Sequence, residues 1–527
     1  MVILKRYKKL LTILAVLSIP VIAYSSLNWV QYSYFKNVKG LNNAFSPIAI
    51  EDNEASDLQN IIFSTSGSFK KRSGFTDIND DRYGATTGIK YVKFSDGKEQ
   101  IFIISSDDKV YKMDYGSSGP DGILDDITGG LSFSIGQNNL ASFAVGENTV
   151  VIEDGLNTTP PMAYHDEAVS CVTLAGSPPN ATVVAYHKNQ GFCAGNSAYP
   201  STLYFTDVGN LLNWTTGLSG NIDVENNDGS IIRALVPGFD ALYIFKDNSI
   251  FRLTGDDKDN FQLQRMVQGI GVMSSQAVSL IGNQFFLTTG QGEVYIYDGA
   301  VGVTKISNKI EGSLKINTAY SRYPYLSTLE YLDDYYLSVS SSSSGTNDTV
   351  FMFDTFNMAW TKFSGINSNA WTVFDDGTGK DKILFGNYHG TILKYPEGDN
   401  DNGSAIDAYY ITKQFSYPEL GPAKDWKTLR VYAAQEATDY NLTVTTYKDF
   451  ETTGTETSID LKSTTGGSYG TAVYGTDVYG GESINISRIE VNLDADFYKI
   501  KFSNSNADQP FEVYGYQMYV EKTEGNI

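Results

Sequence analysis

Carboxylates dominate what chemistry this chain could do: it carries 61 acidic residues against three histidines and two cysteines. Two facing carboxylates are enough for glycoside hydrolysis, but with so many acids no pair can be named from spacing. Asp121-Gly122-x-x-Asp125-Asp126 and Asp399-x-Asp401-x-Gly403-x-x-x-Asp407 have the oxygen-rich spacing that could chelate a hard cation. Neither has the complete loop and terminal glutamate of a calcium hand, and Asp/Gly turns without metal account for both. Gly377-Thr378-Gly379-Lys380 runs into Asp381 and lacks the spacing and hydroxyl of a phosphate-binding loop. HExxH does not occur, which removes the helical zinc-protease pattern; the single GxSxG match, Gly466-Gly467-Ser468-Tyr469-Gly470, falls in a Gly/Thr/Ser/Tyr loop and not at the strand-to-helix turn of a serine elbow. His165, His187 and His389 lie far apart and read as structural or surface residues. Trp214, Trp360, Trp371 and Trp426 could be sugar platforms, or core plugs at the ends of sheets. No catalytic, cofactor-binding or metal-ligating residue is assigned. No cofactor is expected, and the chain reads as a non-enzyme.

The elements that would position any such residue are strands. Tyr (36), Phe (28) and Gly (49) are abundant, and Pro is scarce at 14. Aromatic and β-branched residues suit pleated, half-buried surfaces, while Gly, Asn, Asp and Ser suit tight turns. At 527 residues the chain can bury a sizeable core. The two cysteines, Cys171 and Cys193, make neither a disulfide scaffold nor a zinc framework; on neighbouring predicted strands they read as two buried free thiols, with a single bridge between them as the alternative in an oxidising compartment. The formal charge is −22, which disfavours tight binding to nucleic-acid phosphates. It suits either solubility or the lining of a conduit to which DNA must not stick.

Seven units of similar grammar follow one another: 88–114, 140–164, 183–214, 231–254, 277–298, 329–363 and 370–395. Each has an apolar strand, a tight turn, a second apolar strand, a Gly/Asp turn, then Val-Tyr-x-x-Asp or its like. Val110-Tyr111-x-x-Asp114, Val294-Tyr295-x-x-Asp298 and Phe351-x-x-Asp354 obey it, with variants at Ile250-Phe251 and Ile392-Leu393. Asp96-Gly97 is a strong hairpin signal. Repeated units of a few tens of residues, each unable to bury both faces alone, point to a β-propeller of six or seven blades over residues 86–396. Residues 397–406 form a Gly/Asp/Asn-rich linker. Residues 407–527 alternate apolar and polar over 427–432, 441–447, 487–491, 498–502 and 511–520, as in a β-sandwich of ordinary size, with a Gly/Thr/Ser/Tyr loop over 464–482. The expected architecture is all-β: a propeller followed by a C-terminal sandwich.

Residues 1–24 form an apolar leader. Lys5, Arg6, Lys8 and Lys9 precede an apolar run to Ala23, the pattern of a secretory signal peptide or of an N-terminal arm. Cleavage after Ala23 would take the charge from −22 to −26. Residues 25–85 then read as a hairpin segment closing or leading into the propeller. Within it, Leu58, Ile61, Ile62 and Phe63 form one strand-like run, and Lys70-Lys71-Arg72 form a solvated strand end.

Residues 37–75 carry a further pattern: Lys39-Gly40, Pro47, Glu54-Ala55-Ser56, Asn60, then Gly67 through Lys71-Arg72-Ser73-Gly74. A second run joins Gly191-Phe192 to Asn213-Trp214, Ile222-Asp223-Val224, Leu242-Tyr243-Ile244-Phe245 and Phe251-Arg252-Leu253-Thr254. A third has Gly269-Ile270-Gly271, Ala277-Val278, Gly282, Phe285-Phe286 and Gly290. In this order, over about a third of the chain, they resemble the tail nozzle (tail tubular protein B-like) β-propeller subunits of short-tailed bacteriophages. The resemblance implies a virion tail protein acting as a structural subunit. Its partners would be further copies of itself in a ring of six, neighbouring tail or head–tail adaptor proteins, and phage DNA in transient passage without specific binding. The leader and the shorter chain depart from that family. The alternative reading is a secreted or periplasmic propeller, exported by residues 1–23, whose sandwich binds a carbohydrate such as a host surface glycan.

Overall fold

The computed structural model describes residues 29–35, 39–79, 82–116, 119–166, 168–174, 176–316, 318–416, 424–436, 438–462 and 484–522. The leader and the 464–482 stretch lie outside them. Among the described residues the regular structure is almost entirely strand; one short α-helix, Glu311–Ile316, and two 3-10 turns sit between the fifth and sixth sheets.

Seven antiparallel sheets form a ring, so the propeller has seven blades. Blade 1 consists of Thr86–Lys93, Glu99–Ser105, Lys109–Gly116 and Asp125–Asp126, with Gly119–Pro120 also paired to its third strand. Blades 2 to 6 begin at Ser142, Val183, Ile232, Val278 and Ser327, each with four consecutive strands. The first strand of each blade lies beside that of the next, and Thr86–Lys93 lies beside Ala370–Asp375, which closes the ring. A blade has two apolar faces and can bury them only against neighbours. Separate clusters accordingly fill the spaces between consecutive blades. Phe102, Ile104, Val150 and Ile152 lie between blades 1 and 2; Ile101, Ile103, Phe374 and Leu384 seal blade 7 against blade 1. The Val-Tyr-x-x-Asp grammar marks third strands, including Lys109–Gly116, Val294–Tyr297 and Thr349–Asp354.

Blade 7 takes Ala370–Asp375, Asp381–Gly386 and Ile392–Tyr395 from the end of the ring and its fourth strand, Thr76–Asp77, from before the first blade. Closure by the N-terminal segment is thus confined to two residues. The rest of the 25–85 segment belongs elsewhere. Ala55–Gln59 pairs with Ala408–Thr412, in a sheet completed by Tyr498–Asn504, Asn441–Lys448 and Thr455–Asp460. Ile61–Phe63 and Phe69–Lys71 join the facing six-stranded sheet through Glu512–Lys522, followed by Lys424–Ala434 and Ile484–Ala495; Trp29–Phe35 pairs with Glu512–Lys522 as well. The sandwich expected from 407–527 alone is therefore built from both ends of the chain.

The run from Leu58 to Phe63 is two strands, not one. Asn60 has φ +56°, a left-handed conformation that Asn tolerates better than most residues, and there the chain crosses from one sheet to the other. Rings stack between the two sheets: Phe69 on Tyr410 at 4.4 Å and Trp426 on Tyr498 at 4.7 Å between centroids.

Candidate functional site: the seam between ring and sandwich

Asn60 and Arg72 organise the junction of the two parts. Asn60 donates its backbone N–H to the Lys362 carbonyl at 2.8 Å on the outer strand of blade 6. Its Nδ2 donates to Ser364 Oγ and to the Asp407 carbonyl; its Oδ1 accepts from Ser364 N–H and from Arg72 Nε. Arg72 has five side-chain N–H donors, and five acceptor contacts are formed. Nε meets Asn60 Oδ1 at 2.9 Å, Nη1 meets the Ser73 carbonyl and Asp401 Oδ1, and Nη2 meets the Ser364 carbonyl and Asp401 Oδ2 at 2.6 Å. The Arg72 side chain is wholly shielded from solvent. Lys71 is also buried, its Nζ donating to Asn504 Oδ1 and to the carbonyls of Asn506 and Gln509. Burial, with the Arg72 charge adding to it, brings its ammonium down to about 8, and the carboxylates of Asp399, Asp401 and Asp407 offset this only in part.

These contacts correct the solvated strand end expected for Lys70-Lys71-Arg72. They also place the second calcium-like loop: Asp401 is the counter-ion of Arg72. In the first such loop, Asp125 and Asp126 pair with Lys112 and Lys109. Among the described residues no group of three or more His, Cys, Asp or Glu side chains is placed to hold a metal.

The rest of the N-terminal pattern lies along the same seam. Gly40, at φ +75°, runs against Trp360 so closely that a Cβ there would stand 2.5 Å from the Trp360 carbonyl. The next residue, Leu41, donates its N–H to that carbonyl. Buried Glu54 accepts from Asn42, Glu51 N–H and Lys309. Burial alone would raise its carboxyl, but these three contacts bring it below the usual carboxylate range. Gly74 lies against the 397–406 stretch, where a Cβ would fall 1.7 Å from the Asn400 carbonyl. Sequence reasoning found these positions as a pattern but not as a buried network. The signal it could have used is the density of Asn, Gly and paired charges in one short segment.

The propeller axis is bridged at the face where the first strands begin. Gln276, ahead of blade 5, donates to the Ala141 carbonyl ahead of blade 2 at 3.0 Å, across three places of the seven-blade ring. Arg322 donates to Asn138 at 2.7 Å, and Asn369 donates to the Thr86 and Gln137 carbonyls. Between blades 4 and 5 a cleft of about 330 Å³ is lined by Arg233, Asp247, Glu293, Tyr295 and Tyr320 among others. Its charges are already paired, Arg233 with Asp247 and Glu293 with Lys305 and Lys315.

The remaining residues singled out from sequence stay apart. Trp214, Trp360, Trp371 and Trp426 are buried, two of them with indole N–H groups on the carbonyls of Ile306 and Thr328. Cys171 and Cys193 are buried free thiols. Cys193, on blade 3, faces Glu153 of blade 2. Both Glu153 carboxyl oxygens are buried without a hydrogen-bond partner, and burial pushes that carboxyl well above its usual range.

No family model and no curated protein matches the chain. Solved structures similar in chain path include the computationally designed Ika8 protein, at 12% identity and TM-score 0.37, with 69% of this chain and 100% of that chain covered. YCF48 from Cyanidioschyzon merolae shares 10% identity at TM-score 0.40, covering 61% and 98%. BBS1N, solved in complex with ARL6DN, shares 9% at TM-score 0.40, covering 62% and 98%. The propeller assignment rests on the sheets and the ring closure, not on these likenesses.

Proposed function

We propose that this chain is a structural subunit of a short-tailed bacteriophage tail, nozzle-like, which assembles with copies of itself into a ring continuing the path of DNA ejection. One observation carries the reading. The N-terminal residues of the resemblance, Gly40, Glu54, Asn60, Arg72 and Gly74, are the ones buried in the seam that joins sandwich to propeller. A subunit that holds its shape around a moving polymer needs its two parts locked together, and these residues supply the lock.

Because Gln276 and Arg322 bridge the propeller axis, the conduit in this reading runs between copies, not through the hole of one propeller. The acidic balance of the chain then keeps phosphate from adhering to its wall. Purified virions analysed by mass spectrometry, with negative-stain imaging of the purified chain, test the proposal. Peptides of this chain in the tail fraction and rings or tubes on the grid are expected. Cleavage after Ala23 with export of the mature chain from the cell would overturn it.

A further inference from the structure

The cleft between blades 4 and 5 has the make-up of a ligand site. It opens on the bridged face of the ring, between two hairpins and a turn. Arg233 lies at the start of the first strand of blade 4, and Asp247 lies in the hairpin between that blade's second and third strands. Gln291 and Glu293 belong to the matching hairpin of blade 5. Tyr320 opens the 3-10 turn Tyr320–Tyr325 ahead of blade 6. The volume, about 330 Å³, lies at the small end of the range for small-molecule sites, about 300–1,000 Å³.

Ion pairing fixes these side chains without using up their hydrogen-bonding capacity. Arg233 reaches Asp247 through Nε alone, and among the described residues no acceptor meets Nη1 or Nη2. That leaves four N–H donors on a planar group. Asp247 is held in turn by the Ile231 N–H. Glu293 accepts from Lys305, Lys315 and the Tyr295 hydroxyl, so one of the roughly four acceptor sites of its carboxylate stays open. Burial alone would raise this carboxyl, but the same three contacts bring it to about 2. Gln291 is exposed, and its amide makes no hydrogen bond among the described residues.

Tyr320 supplies a flat apolar wall. It is 65% exposed and lies edge-on to buried Tyr323, with ring centroids 5.4 Å apart. Tyr323 is pinned by its hydroxyl, which donates to the Leu314 carbonyl at 2.8 Å. That hydroxyl stands in the space a Cβ of Gly292 would need. The aromatic turn and the blade 5 hairpin are packed against each other there, which holds the ring in a fixed place beside Gln291 and Glu293.

Charge and polarity select the class of ligand. Two carboxylates beside one guanidinium repel polyphosphates. An apolar ligand would strip water from Arg233, Gln291 and Glu293 without replacing its hydrogen bonds. A neutral ligand dense in hydroxyls does replace them, because a hydroxyl both donates and accepts. The C–H face of a pyranose ring also lies flat on an aromatic ring. We propose that the cleft binds one neutral pyranose unit at the end of a glycan, with Tyr320 as its platform and Arg233, Gln291 and Glu293 as partners of its hydroxyls. The site belongs to a single propeller and does not depend on the tail reading above.

The test is saturation-transfer NMR on the full chain with the methyl glycosides of glucose, galactose, mannose and N-acetylglucosamine, and with methyl glucuronide as the acidic comparison. At least one neutral glycoside should bind in the millimolar range, as expected of about a dozen non-hydrogen atoms. Tyr320→Ala and Gln291→Ala change exposed side chains and leave the fold intact; the first should weaken binding about tenfold, and the second should weaken it measurably. Tyr199→Ala removes a tyrosine of similar exposure, 61%, on the same face of blade 3, and should leave binding unchanged. No binding by any neutral glycoside overturns the proposal. So does binding that survives both Tyr320→Ala and Gln291→Ala, which places the sugar elsewhere, and so does a preference for the glucuronide. Presence or absence in virions judges the tail reading separately.

Discussion

Arg72 and Asp401, 329 positions apart in the chain, meet through two parallel hydrogen bonds of 2.8 and 2.6 Å. The pair joins the N-terminal strands to the stretch that leaves blade 7, and the guanidinium has no water to fall back on. Removing one partner leaves the other charge buried, which costs about 3–5 kcal/mol. Arg72→Ala and Asp401→Ala should each lower stability by that order in urea unfolding, and the double variant should cost less than the sum. Additive losses would show that the two side chains are not coupled.

Gly74 makes a second prediction on the same seam. Its missing side chain leaves room for the Asn400 carbonyl, so Gly74→Ala must push the 397–406 stretch away from the sandwich. Faster proteolytic cleavage within 397–406 is expected, with little change in cleavage of blades 1 to 3. An unchanged digestion pattern would mean that the stretch tolerates the shift.

Glu153 sets a pH dependence. Burial raises its carboxyl in the folded chain, with Asp154 adding to the shift, and Cys193 faces it across the blade interface. The folded state therefore holds this proton more tightly than the unfolded state. Its contribution to stability is greatest below the ordinary carboxylate range and is lost as pH rises towards the raised value. Glu153→Gln keeps the shape and removes the charge, so it should flatten the fall in melting temperature as pH rises above the ordinary carboxylate range. Parallel melting curves for parent and variant over that rise would contradict the assignment.

Lys71 moves stability the other way. Its folded ammonium lies at about 8 against an ordinary 10.5, so between these values the unfolded chain binds the extra proton. Stability from this site rises as pH climbs from about 8 to 10.5. Lys71→Met should abolish that rise in melting experiments, and a Lys71 that titrates near 10.5 by NMR would refute the shift.

The two thiols give a simple check. Cys171 is held up at about 12 by burial and Cys193 is shifted in the same direction, and the thiolate is the reactive form. Both should resist a thiol reagent in the native chain and react on unfolding. Rapid reaction at neutral pH would place one of them at the surface.

Much of this architecture can be read from local pattern. The third strands announce themselves through Val-Tyr-x-x-Asp, and the strands around 427–432, 441–447 and 498–502 through alternation, because a half-buried strand must alternate. What local pattern cannot encode is a partner hundreds of residues away. Lys71 and Arg72 look solvated because their acceptors, Asn504 and Asp401, come from the other end of the chain. The Leu58–Phe63 run looks continuous because only the surrounding sheets reveal that Asn60 turns it. The seam was therefore legible as a motif and illegible as a buried network.

The sandwich has a consequence for synthesis on the ribosome. Ser68 donates to Glu512, 444 residues later, and the strand Phe69–Lys71 pairs with Glu512–Lys522. At about 5–20 residues per second, the early strands wait on the order of 20–90 s before their partner is made. Throughout that interval the blades can form one by one, while the edges of residues 55–71 stand open to any other nascent chain.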